Sequence, residues 1–106
     1  MRDPQILEAV KQTLAVLVER SPGRAIEVRI PPYAAVQCGA GPTHTRGTPA
    51  NVIEMTADTW LALANGERTW ADAMSAGLIN ASGARADLTE LLPIRIKPGR
   101  AAPMVS

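Results

Sequence analysis

Glycines cut residues 59–83 into two short helical patterns and a strand, and this run limits the possible folds more than any other. The first pattern covers residues 58–65, with Trp60, Leu63 and Ala64 on one side. Gly66 follows it and is suited to the left-handed conformation that ends a helix. Thr69 and Asp72 have capping-box spacing, so a further helix is expected to start there and end near Gly77. Residues 78–82 read as a strand closed by Gly83. Ala73 places a small side chain inside the second pattern, where a helix can lie close to a sheet.

The chain before this run supplies a long helix and three strands. Asp3-Pro4 offers an N-cap acceptor followed by a proline at the first helical position. Leu7, Val10, Leu14 and Leu17 recur at steps of three and four, and Ile6 and Val18 widen the stripe. Glu8, Lys11, Gln12, Glu19 and Arg20 take the other side, which predicts an amphipathic helix ended by Ser21-Pro22-Gly23. From 25 to 30, Ile26, Val28 and Ile30 alternate with Glu27 and Arg29, the pattern of a half-buried strand. Pro31-Pro32 turns the chain into a second strand at 33–38. Residues 39–49, rich in Gly and Pro, read as a loop, and 51–56 as a third strand with Ile53 and Met55 on one face. After Gly83, the spacing of Asp87 and Glu90 predicts a short helix stopped by Pro93, and 94–97 alternates like an edge strand. The order predicts one α+β domain over residues 1–97, an antiparallel sheet of four to five strands with helices packed on one face. Residues 98–106 read as a disordered tail.

Composition narrows the function classes. A chain of 106 residues buries roughly two-thirds of its unfolded surface, enough for one modest core. With no Phe, and Tyr33, Trp60 and Trp70 as the whole aromatic set, that core must be aliphatic. The net charge of +1 comes without a basic run, so neither nucleic acid nor an anionic membrane is an expected partner. No apolar stretch approaches the roughly 18 residues of a membrane span. Cys38 is the single cysteine, and residues 1–4 lack a signal-peptide pattern, so a cytoplasmic location is expected.

The spacing of Gly66, Ala73, Gly77 and Gly83 resembles the sterol carrier family. More narrowly, Gly41-Pro42-Thr43-His44-Thr45-Arg46-Gly47-Thr48-Pro49, Thr59-Trp60-Leu61-Ala62-Leu63-Ala64-Asn65-Gly66 and Ala81-Ser82-Gly83-Ala84-Arg85-Ala86-Asp87-Leu88 look like stretches of its stand-alone actinobacterial members. The resemblance covers about residues 5–94. It implies an apolar tunnel between sheet and helices that takes fatty acyl chains, sterols or related lipids. It brings no catalytic residue, no metal and no cofactor. The chain departs from the family in being short, without the longer C-terminal segment that helps close the tunnel in animal members, and in having few aromatics.

The ligand would then be buried against Val28, Ile30, Ile53, Met55, Leu63 and Met74, gaining about 0.8 kcal/mol per methylene. Trp60 and Trp70 either wall the same cavity or serve as ordinary core. His44 and Arg46 flank Thr45 in the Gly/Pro loop, where Arg46 would orient a carboxylate or phosphate; the alternative is that both fix the loop or meet solvent. A nucleophilic pair of Cys38 and His44 requires contact that spacing does not show, and one His with one Cys falls short of a zinc site. Asp87 is expected to cap the last helix and Arg85 to pair with a carboxylate such as Glu54 or Asp58. These readings give non-enzymatic binding of a lipid or other apolar small molecule. The alternative is a protein-interaction or homodimerisation module that has lost the tunnel. A continuous apolar cavity of a few hundred Å³ favours the first and a filled interior the second.

Overall fold

The computed structural model describes residues 3–41 and 51–94. Asp3 caps the first helix by accepting from the backbone N–H groups of Gln5 and Ile6, and Pro4 sits in the first turn, where no donor is needed. This helix, α1 (Pro4–Arg20), buries Val10, Thr13, Leu14 and Leu17 and exposes Glu8, Lys11, Gln12 and Glu19. The polar member of the buried stripe, Thr13, has a structural partner: its hydroxyl accepts from Trp60 Nε1 at 2.8 Å and donates to the Ala9 carbonyl at 2.7 Å.

Four strands form within the predicted segments: β1 (Ile26–Ile30), β2 (Ala34–Cys38), β3 (Asn51–Glu54) and β4 (Asn80–Ser82). Their order is β2-β1-β3-β4. The β1–β2 and β3–β4 pairs are antiparallel, as expected, while β1 and β3 run parallel. The cause is visible in the register. Cys38, ending β2, and Asn51, starting β3, both pair with Ile26. The chain therefore leaves β2 and enters β3 at the same end of β1 but on opposite sides, so β3 shares β1's direction. Ile26, Val28, Ile30, Cys38 and Ile53 point into the core with α1 and α2. The opposite face carries Glu27, Arg29, Gln37 and Glu54, with Arg29 Nε donating to Glu27 at 2.7 Å.

The glycine-punctuated run contains α2 (Ala57–Ala64), α3 (Trp70–Ser75) and β4. Thr56 caps α2 and Thr69 caps α3, each by accepting from a backbone N–H three residues on. Both helices end in the same two-bond closure around a left-handed glycine. For α2, Glu67 N–H donates to the Ala62 carbonyl and Gly66 N–H to Leu63, with Gly66 at φ +79°. For α3, Leu78 N–H donates to Ala73 and Gly77 N–H to Met74, with Gly77 at φ +74°. Leu78 thus belongs to the helix end, which is why β4 begins at Asn80 rather than at residue 78. The last predicted helix is a single 3-10 turn, Thr89–Leu91. Asp87 Oδ1 accepts from Thr89 N–H two residues on, an Asx turn instead of a capping box. Ile94 is no strand residue; its N–H donates to the Ala64 carbonyl at 2.9 Å. The remaining residues of the predicted edge strand, and the tail, lie outside the described residues.

Candidate functional site

The chain from Leu88 to Ile94 forms a strap across the ends of α1 and α2. Leu88 and Ile94 are buried at either end of it. Arg20, the last residue of α1, holds the strap through its guanidinium: Nη1 donates to the carbonyls of Leu91 (3.2 Å) and Pro93 (2.9 Å), and Nη2 to that of Ile94 (2.9 Å). A cationic donor set at a helix C-terminus also meets the negative end of the helix dipole. Arg20→Met keeps an aliphatic stem and removes all three bonds. It is expected to cost about 1–2 kcal/mol and to speed hydrogen exchange at residues 88–94 selectively, as amide-exchange mass spectrometry would read; unchanged exchange there would exclude the clamp.

The strap creates two depressions, one on each side of the 3-10 turn, and Thr89 borders both. On one side lies a cleft of about 310 Å³. Its walls are Leu63 from α2, Gly66 from the α2–α3 turn, Trp70 from the first turn of α3, and Leu92 and Pro93 from the strap; Arg68, Thr69 and Thr89 supply its polar groups. On the other side is a wider, more polar depression of about 580 Å³ bordered by Ser21, Arg85, Asp87 and Glu90. There the Asp87 carboxyl is held below the usual carboxylate range by its hydrogen bonds from Thr89.

The residues expected to line a tunnel separate into distinct places. Val28, Ile30, Ile53 and Trp60 have no exposed surface and, with Leu63 and Met55, pack among the side chains of α1 and the sheet. Leu63 and Trp70 also reach the 310 Å³ cleft. Met55 borders a separate shallow hollow with Pro31, Gly77 and Leu78. Met74 is turned outward, 43% exposed. His44 and Arg46 lie outside the described residues. Arg85 pairs with neither Glu54 nor Asp58: its Nη1 donates to the Ala40 carbonyl at 3.1 Å, and its backbone N–H donates to Asn51 Oδ1 at 2.8 Å. Arg68, Thr89, Leu92 and Pro93 escaped the sequence reading because they belong to turns and carry no periodicity; Pro93 was legible only as a helix stop.

Cys38 is fully buried, and burial pushes its thiol up, away from the reactive thiolate. Among the described residues no cluster of His, Cys, Asp and Glu is suited to a metal ion, and no helix is long and apolar enough to cross a membrane.

The architecture is a layered α+β unit whose helices cover one face of a four-stranded sheet. A family model described as a bacterial SCP ortholog matches residues 2–94. The chain belongs to this bacterial sterol-carrier-like family. No curated protein matches it.

Proposed function

We propose that the protein binds a lipid or fatty acyl chain without acting on it chemically, and that the chain lies in the cleft between Leu63, Trp70 and the strap. The observation that carries this reading is the cleft itself: about 310 Å³, with aliphatic, aromatic and proline walls and few polar groups. That volume falls at the lower end of ligand pockets, which run from about 300 to 1,000 Å³. Membership of a sterol-carrier-like family supports the ligand class. The site differs from a tunnel between sheet and helices, because Trp60, Ile53 and Val28 fill that space.

The packed interior is also the one observation that favours a second reading, an interaction or dimerisation module with no lipid site. Native mass spectrometry of the purified protein separates the two. A lipid-binding protein carries a co-purifying adduct, or takes up added 1-dodecanol. Leu92→Glu, which places a carboxylate on the half-buried wall of the cleft, then lowers uptake about tenfold or more, as expected for an unpaired charge beside an apolar chain, with the far-ultraviolet circular dichroism unchanged. A bare mass, indifferent to dodecanol, together with a concentration-dependent dimer, would instead establish the second reading.

A further inference from the structure

The two edges of the sheet are finished differently. β4 is three residues long, and its polar ends, Asn80 and Ser82, blunt it. β2 is five residues in unbroken register with β1. It has no bulge, no proline and no charged side chain, the devices that usually keep an edge from pairing. The neighbouring pairings fix which backbone groups of β2 face outward. Met55 N–H donates to the Arg29 carbonyl at 3.2 Å, so Arg29 turns its backbone groups toward β3. Ile26, Val28 and Ile30, on the alternate positions, turn theirs toward β2. Their partners Cys38, Val36 and Ala34 are thereby engaged, and Ala35 and Gln37 point their N–H and C=O groups away from the sheet. The outward stretch stops at these two residues. Beyond them Tyr33 N–H donates to Ile30, Gly39 N–H donates to Ser21, and the Gly39 carbonyl accepts from Ala25. Ala35 is exposed, Val36 and Gln37 are half-exposed, and an open hollow runs past all three and Glu27.

We propose that a second copy of this chain covers this edge: two β2 strands pair antiparallel about a two-fold axis at Val36, joining two four-stranded sheets into one. In that register Ala35 of each copy exchanges both backbone hydrogen bonds with Gln37 of the other, so every outward N–H and C=O finds a partner. An axis at Ala35 or Gln37 would oppose one of them to Tyr33 or Gly39, whose N–H groups are already taken. The side chains agree with the axis at Val36. A strand that meets its own copy brings like charges together unless it carries none, and β2 carries none. On the outer face each row across the joined sheets reads Arg29, Ala35, then Gln37 and Glu27 of the second copy, positive at one end and negative at the other. An axis at Ala35 would put Arg29 at both ends, and one at Gln37 would put Glu27 at both. The Arg29–Glu27 pair within each copy is left intact. On the inner face Val36 meets its counterpart, and its branched side chain loses its remaining exposure. No β2 residue lines the 310 Å³ cleft, so the inference goes beyond the lipid reading and does not depend on it.

One strand per copy makes a small interface of the transient class, below about 1,200 Å², so sedimentation velocity of the full chain is expected to show a reversible monomer–dimer equilibrium with a Kd of about 10–300 µM. Ala35→Pro removes an outward N–H and no bond within the monomer. It is expected to weaken the dimer about tenfold or more, since two of the four bonds across the axis are lost, with the far-ultraviolet circular dichroism unchanged. Cysteine pairing tests the register. In a Cys38→Ala background, Val36→Cys is expected to give a disulfide-linked dimer on mild oxidation, because position 36 faces itself across the axis at the close spacing of a non-hydrogen-bonded pair. Ala35→Cys is expected to give none, its two copies lying diagonally about 7–8 Å apart. If Ala35→Pro does not fold, the two cysteine variants decide. A chain that stays monomeric at every concentration, as it would if a strand of another protein covers the edge, overturns the proposal. So does a dimer indifferent to Ala35→Pro, or oxidation that links Ala35→Cys and not Val36→Cys.

Discussion

Replacing Trp60 by alanine is expected to cost about 3–5 kcal/mol, the range for deleting a large buried aromatic. A small domain holds only about 5–15 kcal/mol in total, so the variant is expected to be largely unfolded or to melt far below the wild type. The size of the effect follows from position. Trp60 is the largest fully buried side chain, and it sits in α2 against α1 and the helix-facing side of the sheet. No other aromatic is fully buried, so neighbouring aliphatic side chains would have to collapse into the gap, and close-packed interiors relax only in part. Trp60→Phe isolates the polar part of the interaction. It keeps most of the ring area and removes the Nε1–H that donates to Thr13. The Thr13 hydroxyl retains its own bond to Ala9, so only an acceptor is left unused. The expected loss is about 1–2 kcal/mol. Urea unfolding followed by circular dichroism measures both variants, and a double-mutant cycle with Thr13→Val should show coupling between the two positions.

Asn51→Asp is expected to be comparably severe at neutral pH, about 3–5 kcal/mol, because it leaves a buried charge uncompensated. Asn51 is almost fully buried at the start of β3 and uses both ends of its amide. Nδ2 donates to the Ala25 carbonyl at 2.8 Å, and Oδ1 accepts from the Arg85 N–H at 2.8 Å. The side chain thereby ties the entry of β1 to the segment that follows β4. An ionised aspartate still accepts from Arg85 but turns an oxygen toward the Ala25 carbonyl. Only its protonated form can restore the donor. The folded-state pKa of the new carboxyl is therefore raised, and the folded protein holds the proton more tightly than the unfolded chain. Stability of the variant is then greatest at acid pH and falls as pH rises past the unfolded value of about 3.9. Asn51→Ala, which removes charge and both bonds, is expected to cost less and to show no such pH slope beyond that of the wild type. A variant as stable at neutral as at acid pH would contradict the arrangement.

The elements governed by local chemistry were legible in the sequence. Asp3-Pro4 and the stripe through Leu17 located α1, Thr69 located the start of α3, and Gly66 and Gly77 located two helix ends, because each depends on hydrogen bonds within a few residues. The parallel pairing of β1 with β3 was not legible, since it depends on which side of β1 the chain passes after Cys38. Neither was the role of Thr13, a polar residue within an apolar stripe whose partner lies 47 positions away. The candidate site shows the same division. Leu63 and Trp70 belong to helical patterns; Leu63 was expected against the ligand and Trp70 either there or in the core, and both border the cleft. The strap that completes the cleft depends on Arg20, whose partners are 71 to 74 residues distant. The family resemblance implied a cavity between sheet and helices. Trp60, Ile53 and Val28 occupy that layer, and the apolar space lies at its margin instead.

The most direct test of the lipid-cleft reading is a titration of the uniformly ¹⁵N-labelled protein with 1-dodecanol, followed by amide chemical shifts. The largest shifts are expected at Leu63, Gly66, Thr69, Trp70, Thr89 and Leu92, with Val28 and Ile53 in the sheet little changed. Shifts centred on Val28 and Ile53, or none at the cleft at saturating dodecanol, would contradict it.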